Sequence, residues 1–174
     1  MHGRVVAVSV SPGGLPKLPV GSAWVGTLGL DADGHESPNH GGPTAAVCLY
    51  AVEALARVAA DGHEAFPGAY GENLTLEGID WGRLAAGDRL TVGEDGLELE
   101  LTRNAAPCAK QARWFVAGAI ERISVTRYPD DARWYARVLN EGPVAVGDRV
   151  EVEPIPVAAE PAPVGAEVGE VGTP

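Results

Sequence analysis

Residues 99–115 read LELTRNAAPCAKQARWF. The first half alternates apolar and polar residues, the period of a half-buried strand, and the second half is rich in helix formers. Pro107 and Cys108 stand where strand gives way to helix. Pro107 fixes its own φ and suits a helix entry. A cysteine at that junction lies near the positive end of a helix dipole, among backbone N–H groups that have no partner inside the helix. Lys110 and Arg113 are three apart and share a face if the segment is helical. Each feature favours thiolate over thiol. Cys108 is therefore a candidate reactive or metal-ligating thiolate. The plain alternative is a small buried cysteine, because free cysteines are among the most buried residue types.

Working outward, residues 4–10 alternate and are rich in valine, which predicts a strand, and residues 11–19 form a loop around Lys17. Residues 21–30 predict a second strand with Trp24 and Leu28 facing one way. Residues 31–43 are polar and glycine-bearing and predict an exposed loop with His35, His40, Gly41 and Gly42. The two histidines have no third ligand at useful spacing and read as loop residues, not as a metal site. Residues 44–50 predict an apolar strand in which Cys48 is buried and inert. Residues 51–60 carry the best helical pattern, with Val52, Leu55, Ala56 and Ala59 on one face and Asp61-Gly62 as the stop. In residues 68–75, GAYGENLT, Glu72 and Asn73 are candidate ligand contacts; a plain turn in which Asn73 bonds its own backbone fits as well. Gly87-Asp88-Arg89 and Gly147-Asp148-Arg149 each open an alternating stretch, which predicts two similar turns into antiparallel strands. Residues 117–127 fit helix or strand, and residues 133–139 predict a strand closed by residues 140–143. About eight short strands with a helix or two suggest a predominantly β barrel. Residues 1–154 then form one domain, and residues 155–174, rich in Pro, Ala, Gly and Glu, a disordered tail.

With 174 residues, one domain with a substantial core is expected. The 13 basic and 24 acidic side chains leave a net charge of −11, which disfavours a nucleic-acid partner but not a small anion in a local basic pocket. Two cysteines and no CxxC exclude a disulfide scaffold and a cysteine-rich zinc site. No apolar run has membrane-spanning length and no signal peptide precedes the first strand, so no membrane partner and a cytoplasmic location are the expectations.

Four stretches, taken together and in order, resemble the MOSC family, named for the C-terminal domain of molybdenum-cofactor sulfurase. They are Gly14-Leu15-Pro16-Lys17-Leu18-Pro19-Val20; Asn39-His40-Gly41-Gly42-Pro43 with Ala46-Val47 and Tyr50; residues 68–75 with Gly87-Asp88-Arg89; and Pro107-Cys108 with Lys110. Trp134-Tyr135-Ala136-Arg137-Val138-Leu139 adds a later echo. The resemblance implies a MOSC-type, mainly β barrel with a few helices. It also implies that Cys108 is the reactive residue, as a sulfur carrier or a ligand to molybdenum. The chain resembles in particular the short bacterial members, similar to those that help detoxify N-hydroxylated bases. These bind molybdenum cofactor and reduce N-hydroxylated small molecules with electrons from a partner protein. On this reading Lys17, His40, Gly41 and Gly42 are cofactor-binding candidates, as are Glu72, Asn73, Arg103 and Lys110. Relatives often carry Pro-Arg shortly before the Pro-Cys pair; Asn104-Ala105 stand there in this chain, and Arg103 is the candidate replacement. Two other functions remain open: a non-catalytic carrier of persulfide sulfur or cofactor served by a sulfur-donor protein, and a cysteine hydrolase using His40 as base.

Overall fold

A computed structural model describes residues 1–34 and 41–155. In chain order its strands are β1 (His2–Val10), β2 (Leu18–Val20), β3 (Ser22–Gly26), β4 (Gly29–Leu30), β5 (Val47–Ala51), β6 (Leu74–Glu77), β7 (Arg89–Val92), β8 (Leu97–Ala105), β9 (Arg133–Asn140), β10 (Gly142–Ala145) and β11 (Arg149–Glu153). One α-helix, α1 (Val52–Ala60), and several short 3-10 turns complete the described elements.

The strands β11-β7-β8-β9-β5-β6-β1 follow one another in a sheet that closes on itself through the β11–β1 pairing. Closure removes the open edges that a flat sheet would leave unpaired. The alternation read from the sequence explains the interior. Leu97, Leu99 and Leu101 of β8, Leu90 and Val92 of β7, and Val150 and Val152 of β11 all point into one apolar core. Burying a leucine in this way contributes roughly 1.5–3 kcal/mol. The two Gly-Asp-Arg stretches make the same turn. Asp88 and Asp148 each accept a hydrogen bond from the backbone three residues earlier, at Ala85 (2.9 Å) and Ala145 (2.8 Å). The strands they launch, β7 and β11, pair with each other.

Several elements differ from the sequence reading. Leu18 and Pro19 leave the expected loop and pair as β2 along the end of β1, using backbone groups that the loop would have left unpaired. Residues 21–30 form a hairpin, β3 to β4, and Trp24 and Leu28 are both exposed. Residues 142–145 do not merely close β9 but pair with β3 in a separate three-stranded sheet. The helix α1 buries Ala54, Leu55 and Val58, whereas Ala56 and Ala59 are exposed. Its rotation is anchored by Glu53, which accepts the Gly78 N–H at 2.8 Å. The segment after Cys108 is a 3-10 helix, Ala109–Trp114, too short for a stable α nucleus. Residues 117–127 hold further 3-10 turns rather than a helix or strand. His35, His40 and the tail from residue 156 lie outside the described residues. Before it, the Ile155 N–H donates to Asp88 Oδ1 at 3.0 Å.

Candidate functional site

The end of β8 runs through Ala106 and Pro107 to Cys108, which is half-buried and opens the 3-10 helix. Gln111, 2% exposed, fixes this corner. Its Oε1 accepts the Cys108 N–H at 2.8 Å, and its Nε2 donates to the Tyr70 carbonyl at 2.6 Å. One amide side chain thus ties Cys108 to the loop of residues 68–71. That loop is shaped by glycines. A Cβ at Gly68, whose φ is +86°, would stand 2.2 Å from the Lys17 carbonyl oxygen, and one at Gly71, φ +91°, would press to 2.9 Å from Leu15.

A cavity of about 230 Å³ lies between these segments. Its lining includes Lys17, Gly41, Cys48, Tyr70, Gly71, Asn73, Cys108, Lys110, Gln111, Arg133 and Tyr135. The structure therefore brings Cys108, Lys17, Gly41, Asn73 and Lys110 together around one space. Gly42, Glu72 and Arg103 are not among the lining residues, and His40 lies outside the described chain. Arg103, the candidate replacement for the family's basic residue, has its guanidinium 5.0 Å over the ring of Tyr135, with Thr44 as its hydrogen-bond partner. Arg113 is also outside the lining, stacked 3.6 Å from the Trp114 ring.

Lys17 is buried and its ammonium pairs with Asp33. The same carboxylate accepts from Asn73 Nδ2 at 2.9 Å. Asn73 does not close a turn on itself. Its Oδ1 accepts the Cys48 N–H at 3.0 Å and its Nδ2 also donates to the Ser9 carbonyl at 3.2 Å, so it ties β5 to β1. Cys48 is 4% exposed, and burial pushes its thiol up to about 11 in spite of the neighbouring Arg133 charge. It stays protonated near neutral pH and is a poor ligand or nucleophile. Tyr135 stands opposite Cys48 in the β5–β9 register, and burial pushes its hydroxyl up to about 12.

Glu72 is fully buried beneath the loop. Its carboxylate accepts the N–H of Gly68 at 2.8 Å and of Tyr70 at 3.2 Å. Burial raises it from the ordinary 4.5 to about 6, against the pull of those N–H groups and of Arg133. The folded state thus holds this proton more tightly than the unfolded chain does. The resulting stability is fully present below pH 4.5 and is lost as pH rises through 6. A shift of that size is worth about 2 kcal/mol. Relative to Glu72→Gln, which cannot titrate, the native protein is expected to lose about 2 kcal/mol between about pH 4 and pH 7 in urea unfolding. A difference that does not change with pH would rule out a raised Glu72.

Asp33, Tyr70, Gln111, Arg133 and Tyr135 escaped the sequence reading as site residues. Only Gln111 carried a local signal, standing three residues after the helix-opening cysteine at capping-box spacing.

A closed β barrel with a half-buried cysteine in the lining of a cavity that also takes in Lys17, Lys110 and Arg133 defines the class. The chain belongs to the MOSC domain family, whose model matches residues 36–151. It is 31% identical over 148 residues to the uncharacterized protein YflK of Bacillus subtilis, covering 80% of this chain and 62% of that protein's length. Among solved structures, YuaD of Bacillus subtilis superposes with a TM-score of 0.73 at 16% identity, covering 87% of this chain and 96% of that one. YiiM of Geobacillus stearothermophilus gives 0.69 at 23% identity over 87% and 75% of the two chains. YiiM of Escherichia coli gives 0.67 at 23% over 88% and 70%. No helix among the described residues is long and apolar enough to cross a membrane.

Proposed function

We propose that the protein binds molybdenum cofactor through Cys108 and reduces N-hydroxylated small molecules with electrons from a separate donor protein. The observation that carries this reading is the composition of the cavity. Cys108 faces a space that also takes in Lys17, Lys110 and Arg133, and no carboxylate is among its described lining residues. Thiolate is a soft ligand suited to a soft, redox-active metal, and the half-buried Cys108 suits that role better than Cys48, which is 4% exposed. Cationic side chains on one cavity suit the anionic end of the cofactor in a chain whose net charge is −11, with Lys17 held there by its ion pair to Asp33. The donor set therefore fits the group.

In this reading Cys108 holds the metal, Lys17 is kept in place by Asp33, and Gly41 and Gly71 leave backbone open to close approach. When bound, the cofactor supplies a two-electron redox centre. The net reaction takes two electrons and two protons to the substrate, breaks its N–O bond and releases water. The chain's own part is to bind and orient, with Gln111 holding the corner from which Cys108 projects.

The test is Cys108→Ser in a host that makes the cofactor. Serine is nearly the same size but a hard, weakly acidic donor. Molybdenum per chain and reductase activity are expected to be lost while the melting temperature stays within a few degrees. Wild-type activity per bound molybdenum in Cys108→Ser would falsify the reading. If neither form is active and Cys108 carries a transferable persulfide, the protein is a sulfur carrier instead.

A further inference from the structure

We propose that Arg133 is the anion-binding residue of the Cys108 cavity, its guanidinium taking an oxyanion such as a phosphate group. This deepens the reading of that cavity as the ligand site and rests on it. Arg133 opens β9 and is 4% exposed. Its Nη1 donates to the Tyr70 carbonyl and its Nη2 to the Ala106 carbonyl at 3.1 Å. Both acceptors are uncharged, and both belong to residues that line the cavity. Its Nε is buried and has no hydrogen-bond partner. Among the described residues, Arg133 makes no ion pair. Glu72 acts on it only through space, with both carboxylate oxygens engaged by backbone N–H groups.

A buried guanidinium without a counter-charge is unfavourable unless something completes it. The guanidinium belongs to a side chain lining the cavity and has N–H groups beyond the two that the carbonyls take, and an anion held there would supply the missing charge. The two carbonyls hold the planar group in a set orientation, so little rotamer freedom is left to lose when an anion arrives. Lys17 differs, because Asp33 already balances it. Arg103 also differs, because it is exposed and held by a ring and a threonine.

The test uses the full chain purified from a host that makes no molybdenum cofactor. Thermal melts are recorded with inorganic phosphate, with phenyl phosphate, and with chloride at matched ionic strength. Each phosphate is expected to raise the melting temperature of the wild type in a concentration-dependent way. Affinity is expected to fall about tenfold or more in Arg133→Met and to be unchanged in Arg103→Gln. Tighter binding of phenyl phosphate assigns the oxyanion to a larger ring-bearing ligand; equal binding assigns it to a free ion. Should Arg133→Met not fold, Arg133→Lys, which keeps the charge without the planar fork of N–H groups, is expected to show the same loss. A wild type indifferent to both phosphates, or a folded Arg133 variant that keeps its phosphate affinity, overturns the proposal. No molybdenum enters this experiment, so its failure is separable from failure of the Cys108 reading.

Discussion

Asp131→Ala is expected to cost about 3–5 kcal/mol of unfolding free energy, the range for breaking a buried ion pair from one side. Asp131 is buried, and it serves two arginines. Its Oδ1 accepts from Arg57 Nε at 2.7 Å, and its Oδ2 accepts from Arg122 Nη1 at 2.6 Å. Arg122 is itself buried, with Asp61 at 2.5 Å and the Tyr128 ring 4.3 Å below. Removing Asp131 leaves Arg122 with the half-exposed Asp61 alone. Arg57→Ala removes a half-exposed partner and is expected to cost about 1 kcal/mol or less. Urea unfolding of the two variants decides the matter; equal small losses would mean that Asp131 is not the hub. The effect should also reach the cavity, because Asp131 lies two residues before Arg133.

Gln111→Ala is expected to lose about 1–3 kcal/mol, chiefly from a part-buried N–H that loses its acceptor. The Cys108 N–H would have no acceptor, and the Tyr70 carbonyl would keep only Arg133. The 3-10 helix would then fray at its first residue. Alkylation of Cys108 by iodoacetamide should speed up, and molybdenum retention should fall. Gln111→Glu restores the acceptor for Cys108 but sets a carboxylate against the Tyr70 carbonyl, so it should recover little. Unchanged alkylation in Gln111→Ala would remove this residue from any positioning role.

The elements legible in the sequence are those whose signals are local. The alternation of β8 marked its buried leucines, and the Pro-Cys corner marked the end of the strand. The repeated Gly-Asp-Arg turns were readable because aspartate bonds backbone three residues away. What was not readable depends on partners distant in the chain. That β7 and β11 lie side by side is a pairing between segments distant in the chain, which no window of sequence contains. The buried face of α1 was misread because alanines fit either side, and Glu53 on Gly78 sets the rotation. Arg133 stood in a stretch that read only as a strand. Its place at the cavity comes from two carbonyls in residues 70 and 106, far from it in the chain.

The first strand meets the last. The Met1 ammonium donates to the Val152 carbonyl at 2.9 Å, and the Val152 N–H donates back to Met1 at 2.8 Å. The ring of strands is thus circular in space, and where the polypeptide opens is immaterial to it. A short linker from residue 155 back to residue 1, with new ends cut in the exposed 94–95 tip between β7 and β8, would keep every rung. Such a permutant would carry Cys108 thirteen residues after its new start at residue 95, while the cavity kept the same walls.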